Sequence, residues 1–507
     1  MWKHIFDLGF TVPEIDKVGA KYVKLALEKS IKYYTKELGD VISEDKIIDL
    51  AEKYVERALD QGFQAVETRL NTISNSNTQT PFVTFSFGLD TSKEGRMISK
   101  AILKNRINGI GAQHITPVFP KLVFLHRNEV NGVVGSPNYD LYLESIKCMS
   151  RRMYPDMLSL NHGYLGDIYD KYGLAISPMG CRAYLSPYYA KGGVNPLDET
   201  DYPIFTGRAN CGAVTLNTVR YAIIAKGDKK TFFELFDKNF NLATKTHLWT
   251  YKRLCKVKAS TNPLFFCEGG CHIKLKPTDS IKAAIDTFTW SYGYIGLDEA
   301  SVLMIGKHIH EDNSFAIEVL EHMNMMVEQA KKEHNLLFAI YSTPAEGLSY
   351  KFRDKDRELF GEIPFVNDKL YYTNSFHCDV NARISPIHKQ NVEYPMFHLS
   401  NGGHIFYNEL PICDNLNAIK TLVDEGMKRG FYMGINMELD NCNDCGNGGE
   451  FEEGVCSNCG SNNITSVCRV CGYLSYSKID GDTRLNKGKN DEVNNYRVDH
   501  VDIEVEL

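Results

Sequence analysis

Cys442-Asn443-Asp444-Cys445, ten further residues, Cys456-Ser457-Asn458-Cys459, and then Val467-Cys468-Arg469-Val470-Cys471-Gly472-Tyr473-Leu474 form the most informative stretch of this chain. Two Cys-x-x-Cys pairs are a common way to offer four thiolates to a tetrahedral zinc ion. Gly446 and Gly460 follow the two pairs, where the backbone must turn tightly and a side chain would hinder it. Structural zinc held by Cys442, Cys445, Cys456 and Cys459 is the expectation, with an iron–sulfur cluster as the chief rival. Between Asn436 and Cys468 stand six acidic residues (Glu438, Asp440, Asp444, Glu450, Glu452, Glu453) and no lysine or arginine. A ribbon that grips phosphates is basic, because counterion release drives that binding. The module therefore reads as a clamp for the loop beside it, not as a nucleic-acid reader.

The rest of the composition is that of a globular protein. Of 507 residues, 43% are hydrophobic and 24% charged, and the formal net charge of -7 gives no reason to expect a polyanionic partner. No uncharged apolar run approaches the roughly 20 residues that cross a bilayer, and Met1 to Phe10 has no signal-peptide core. A cytoplasmic protein is expected. Fourteen cysteines are too sparse for a disulfide scaffold, and their clustering near the C-terminus points to metal or redox chemistry in a reducing compartment. Cys148, Cys255 and Cys413 stand alone and read as buried or incidental thiols.

Upstream, Val23, Leu27, Ile31, Tyr34 and Leu38 recur at the three-and-four spacing of one helix face. A second helix is predicted from an N-cap at Ser43, burying Ile47, Ala51, Tyr54 and Ala58 and stopping at Gly62. Strands are predicted at Phe82–Phe87, Val118–Leu125, Ala213–Leu216 and Leu336–Tyr341, and a helix over Glu311–His334. This alternation argues for an α/β architecture with helices covering a largely parallel sheet or barrel. Near residue 436 the composition shifts to Asn, Gly, Asp and Cys, so residues 1–435 and 436–507 read as two domains. The charged tail from Lys487 to Leu507 reads as solvated.

Arg469-Val470-Cys471-Gly472-Tyr473-Leu474, preceded by four cysteines, resembles the signature of glycyl radical enzymes. The chemistry needs glycine because a Cα radical is stabilised by flattening and delocalising into both flanking amides, which a side chain hinders. More closely, the chain resembles anaerobic (class III) ribonucleotide reductases, from Phe10-Thr11-Val12-Pro13-Glu14-Ile15-Asp16 to about His500. Similar segments include Gln64-Ala65-Val66-Glu67-Thr68, Asp90-Thr91-Ser92 with Glu94-Gly95-Arg96, Met179-Gly180-Cys181-Arg182, and Gly207-Arg208-Ala209-Asn210. Thr343-Pro344-Ala345-Glu346-Gly347-Leu348-Ser349 and Tyr372-Thr373-Asn374-Ser375-Phe376-His377 continue the series.

The resemblance implies a ten-stranded α/β barrel with a finger loop through its centre, followed by the zinc and glycyl radical domain. It implies that Gly472 carries the stored radical and that Cys181, at the finger tip, becomes the thiyl that attacks the substrate. Read alone, Cys181 is simply a buried thiol. Asn210 matches the asparagine placed beside the substrate ribose; read alone, it caps a turn at a strand entry. Thr343 to Ser349 follows a strand, with Pro344 fitting the first turn of a helix, so these residues are the candidate phosphate site. An ordinary βα turn is the plainer reading. The implied reaction removes the ribose 3′ hydrogen, loses the 2′ hydroxyl as water and is completed by formate or a thiol reductant. The implied partners are a radical-SAM activating enzyme, a ribonucleotide (triphosphate more than diphosphate), dNTP or ATP effectors, and a second copy of the chain in a homodimer. The only Cys-x3-Cys, Cys267 and Cys271, has Lys274 in place of a third thiol, so self-activation is not expected.

Some positions depart from the family pattern. Gly434-Ile435-Asn436-Met437 stands where many members have Gly-Ile-Asn-His-Pro, and Cys378 and Cys468 are unusual. Only Met1–Gly9 precede Phe10, where the family has a further block carrying a second active-site cysteine. That suggests a separately encoded N-terminal piece or, alternatively, a chain inactive without one. Another glycyl radical enzyme, of the pyruvate formate-lyase type, is a further alternative, weakened by the missing Cys-Cys pair.

Overall fold

The computed structural model describes residues 11–72, 82–412 and 415–500; the readings of Met1–Gly9 and Cys413 lie outside them. The chain forms two compact units. The first takes in the chain to Gly180, Leu410–Arg469 and Tyr473–Arg484, and the second comprises Cys181–Glu409, Val470–Gly472 and the chain from Leu485.

In the first unit, strands Thr11–Val12, Thr84–Phe87, Lys121–His126 and Asp156–Ser159 run parallel, and Tyr432–Asn436 adds antiparallel to Asp156–Ser159. Every residue of Thr84–Phe87 and Lys121–His126 is buried, as expected where helices cover both faces of a sheet. Registers pair Phe85 with Leu122 and Phe124 with Met157. The third strand starts at Lys121 because Pro120 has no N–H for the ladder.

Segments distant in sequence meet here. Asp16, fully buried, accepts the amides of Gly88 (2.8 Å) and Asp90 (3.2 Å), and Glu67 receives Arg106 Nε at 2.8 Å. The latter contact corrects the predicted stop at Gly62: the helix runs Glu44–Thr72. An interior glycine costs only about 1 kcal/mol, and continuing past it buries Val66, Glu67 and Leu70.

The first unit also carries a five-stranded antiparallel sheet that includes Leu439–Cys442, Ile464–Arg469 and Leu474–Ile479. The last two strands form a hairpin in which Arg469 pairs with Leu474, so the residues between them lie at its tip.

The second unit is built on parallel strands Asn210–Asn217, Thr289–Ile295 and Leu337–Tyr341. Helix Lys229–Leu254 lies in the first crossover and Ser314–His334 in the second. The tail is not solvated throughout: Lys489, Glu492 and His500 are buried. Leu370 N donates to Asp491 (2.9 Å) and Glu409 N to His500 Nδ1 (3.0 Å). Charge alone misreads such a segment, because paired ions can be packed inside. Among the described residues no helix is long and apolar enough to cross a membrane. Their cysteines are all free of disulfides.

Candidate active site

Cys181 and Gly472, 291 positions apart in the chain, are brought into contact. A Cβ placed on Gly472 would collide with the Cys181 carbonyl oxygen and lie 2.7 Å from its carbonyl carbon and 2.8 Å from its Cβ. These are backbone atoms and a side-chain root, which cannot swing aside. Gly472 does not need a left-handed backbone; the closeness of Cys181 is what demands glycine. Cys471, fully buried, sets its Sγ 3.4 Å from the Cys181 Sγ. Burial first, and the neighbouring Cys181 second, push the Cys471 thiol well above its ordinary range, so it stays protonated. The sequence pattern by itself gives Cys471 no role, although its place directly before the glycine is the one local hint.

Cys181 is held by its flanks. Gly180 takes φ +54, a conformation that favours glycine. Tyr184 N donates to Gly402 O (2.9 Å), Gly402 N to Ile340 O (2.6 Å), and Ser342 N to Gly403 O (2.9 Å). Gly402-Gly403 thus joins the thiol segment to the strand Leu337–Tyr341. A Cβ on Gly403 (φ +125) would strike the Arg182 carbonyl oxygen and stand 2.7 Å from Ala183 Cα. Arg182, fully buried, donates through Nη1 to His377 Nε2 (3.2 Å), and His377 Nδ1 lies 3.1 Å from Glu393. Burial lowers the His377 pKa to about 4, so the ring is neutral, accepting from Arg182 and donating to Glu393. Burial opposes ionisation of Glu393, but Lys389 and His377 hold it down to about 2.

The hairpin that presents Gly472 has its own anchor. Arg469, fully buried, donates to Asp156 Oδ1 (2.7 Å), Ile435 O (3.1 Å) and Met153 O (3.1 Å), while its amide donates to Asn436 Oδ1 (2.7 Å). Asp156 also meets Lys121 Nζ at 3.4 Å and the Tyr432 hydroxyl at 3.0 Å. A Cβ on Gly434 would fall 2.5 Å from Asp156 Oδ1 and 2.6 Å from Arg469 Nη2. The glycine of Gly434-Ile435-Asn436 therefore makes room for the arginine.

The four cysteines converge. Their ligand atoms lie within 4.8 Å of one another, with Cys442–Cys459 and Cys445–Cys456 sulfurs 3.6 Å apart. Four thiolates at Zn–S distances of about 2.3 Å would stand about 3.8 Å apart, so the quartet fits a zinc ion. Gly446 and Gly460 both take φ +74, and each amide donates back to the first cysteine of its pair at 2.9 Å. Cys442 and Cys456 pack with Phe451 and Ile464 in a small core, while Cys445 and Cys459 are exposed. Burial works against ionising Cys456, but the backbone amides of Cys459 and Asn458 bring its pKa down to about 6.

The other predicted residues do different things. Asn210 opens its strand, donates to Ser291 Oγ (2.7 Å) and accepts the Gly212 amide (2.8 Å), so its side chain makes a local turn as well as a cross-strand bond. The Thr343–Ser349 segment follows the strand Leu337–Tyr341, but the helix begins at Glu346, after Ala345 in a left-handed conformation with no side-chain cap. Pro344 therefore precedes the first turn. No side chain caps this end, and its first turn carries the acidic Glu346.

The sequence model of anaerobic ribonucleoside-triphosphate reductase matches residues 7–500. The anaerobic ribonucleoside-triphosphate reductase of Haemophilus influenzae is 38% identical over 514 residues, covering 98% of this chain and 69% of that protein. The one from Enterobacteria phage T4 is 37% identical over 512 residues, covering 97% and 79%. A solved anaerobic ribonucleotide reductase shares the fold with a TM-score of 0.66 at 17% identity, over 92% of this chain and 68% of that one. The Thermotoga maritima enzyme with dATP bound in its specificity site gives 0.64 at 17% identity, over 92% and 73%. The chain belongs to the anaerobic ribonucleoside-triphosphate reductase family.

Proposed function

We propose that Gly472 and Cys181 are the storage and working residues of a radical reaction that reduces ribonucleotides, as triphosphates, to 2′-deoxyribonucleotides. The contact between them carries this reading: Gly472 packs so closely on Cys181 that an added Cβ would stand 2.7 Å from its carbonyl carbon and 2.8 Å from its Cβ. A thiol is the right acceptor of the radical, since sulfur exchanges hydrogen atoms readily with both an amide-stabilised carbon and a ribose C–H. The family match favours this reading over the pyruvate formate-lyase type.

A radical-SAM activating enzyme would remove one hydrogen atom from Gly472. With substrate bound, Cys181 would pass its hydrogen to Gly472, and its thiyl would take the 3′ hydrogen. Loss of the 2′ hydroxyl together with the 3′-hydroxyl proton, as water, leaves a keto radical short of two electrons and two protons. Formate, leaving as carbon dioxide, would supply both electrons and one proton, with the other from solvent; a dithiol, leaving as disulfide, would supply both electrons and both protons. Return of the 3′ hydrogen from Cys181 restores the thiyl. The neutral His377 bridge fixes Arg182 and hence the Cys181 turn, while the protonated Cys471 keeps a second hydrogen source beside the radical path. Asn210 is assigned to the ribose hydroxyls, which would compete for its present contacts. Thr343, Ala345, Glu346, Gly347, Leu348 and Ser349 are assigned to the phosphates.

Zinc at Cys442, Cys445, Cys456 and Cys459 would supply a rigid cross-link and no redox chemistry. In this reading residues 1–435 make the ten-stranded barrel and 436–507 the zinc and radical domain. dNTP or ATP effectors and a homodimer complete the assembly, and the free thiols suit the cytoplasm.

Anaerobic electron paramagnetic resonance after incubation with the activase and S-adenosylmethionine tests the proposal. A doublet from one α-hydrogen, absent in Gly472→Ala, and nucleotide-dependent deoxynucleotide formation are expected. A doublet that persists in Gly472→Ala would overturn it.

A further inference from the structure

The second unit holds another group of metal-ligating side chains that the radical chemistry does not use. Asp298, His308 and His310 offer ligand atoms that all lie within 4.8 Å of one another. Asp298 is 1% exposed, in the first turn of helix Leu297–Ile305. Its Oδ1 accepts the Ile309 amide at 2.8 Å, and its Oδ2 stands 2.7 Å from His308 Nδ1. The His-x-His segment is pinned at several further points. Ile309 is buried, the His308 amide donates to Glu311 at 2.9 Å, and His388 Nε2 reaches the His310 carbonyl at 3.1 Å. The two imidazoles stand side by side, with centroids 5.4 Å apart and planes inclined by 21°.

Asp298 accounts for His308. It does not account for His310, whose Nδ1 is closed off from solvent and has no hydrogen-bond partner. A buried polar atom without a partner needs an explanation. Here it belongs to a ring that shares a pinned loop with a second histidine, beside the buried Asp298 carboxylate of the preceding helix.

We propose that Asp298, His308 and His310 bind a divalent transition-metal ion of the zinc(II) or iron(II) class. Two imidazoles and one carboxylate suit such borderline ions, whereas magnesium and calcium prefer oxygen donors throughout. Ligands at bond lengths of about 2.1 Å around a tetrahedral ion stand about 3.4 Å apart. The present spacing, with all ligand atoms within 4.8 Å of one another, brackets that value. Both histidine rings are only half-buried. Three protein donors leave a coordination position for water or an anion. The ion would tie the start of helix Leu297–Ile305 to the loop leading into helix Ser314–His334.

The test uses the full chain, stripped of metal by a chelator and reloaded anaerobically with cobalt(II). Thiolate-bound cobalt at the cysteine quartet gives intense near-ultraviolet charge-transfer bands. The proposed site, having no thiolate, adds a second ion with only weak visible bands. His310→Ala and His308→Gln are expected to lose that second ion while keeping the charge-transfer bands, and Cys459→Ser to do the reverse. Retained circular dichroism identifies variants that fold. The proposal is overturned if the unmodified chain takes up cobalt at the quartet alone, or if folded His310→Ala and His308→Gln still bind the second ion.

Discussion

Replacing Arg469 by methionine would separate the presentation of Gly472 from its chemistry. The substitution leaves Gly472 and Cys181 in place but removes the guanidinium that donates to Asp156, Ile435 and Met153. Arg469 and Asp156 are both fully excluded from solvent. Breaking a buried pair by deleting one partner costs about 3–5 kcal/mol, and each buried acceptor left open adds about 1 kcal/mol or more. Lys121, at 3.4 Å, still faces Asp156, so a total of about 4 kcal/mol is the reasonable figure from these values. That is close to a thousandfold in the local opening equilibrium. Hydrogen exchange of the amides in Ile464–Arg469 and Leu474–Ile479 should lose protection by roughly that factor. The glycyl doublet formed by the activase should fall with it. Arg469→Lys, which keeps the charge without the planar fork, should lie between. If protection in the hairpin of Arg469→Met stays within about tenfold of the parent, a shift of about 1.4 kcal/mol, the proposed anchoring is wrong.

Cys181→Ala should keep a glycyl doublet and make no deoxynucleotide; product from this variant would remove Cys181 from the reaction. Cys471→Ala should keep both doublet and product at a reduced rate, since the terminal thiyl is assigned to its neighbour; complete loss of product would make Cys471 obligatory. Releasing the quartet's metal with an organomercurial should strip exchange protection from Leu439–Cys442 and Ile464–Arg469, because binding energy at structural zinc sites is also folding energy. Unchanged protection would argue against a structural ion. In acid, His126 and His377 (each about 4) and His404 (about 3) have pKa values lowered by burial from 6.5. The unfolded chain therefore binds their protons first, and stability is full above about pH 6.5 and declines as pH falls toward 4. A denaturation midpoint flat between pH 7 and 4.5 would contradict this.

Local chemistry made part of the molecule legible from sequence. The two knuckles could be read because Cys-x-x-Cys-Gly encodes both its ligands and its turn within five residues. The strand Leu337–Tyr341 could be read as a short continuous apolar run, and helix Ser314–His334 from the three-and-four spacing of its apolar residues. Elements set by distant partners were harder. Gly62 looks like a helix stop, yet the turns beyond it bury Glu67 against Arg106. Lys489 and Glu492 look solvated, yet they pair with each other inside the second unit. The role of Gly402-Gly403 had no local signal, since what requires glycine at Gly403 is the Arg182 carbonyl, far away in the chain.

By itself the sequence determined which residues can do radical and metal chemistry. Glycine, thiols and cysteine pairs carry those capacities in their own atoms, and the resemblance assigned them roles. Only the tertiary structure decided that Gly472 meets Cys181, that Cys471 joins them, and that buried Arg469 and Asp156 hold the hairpin. Such contacts arise from packing between segments hundreds of residues apart, where excluded volume and the cost of an unpaired buried charge leave few arrangements open.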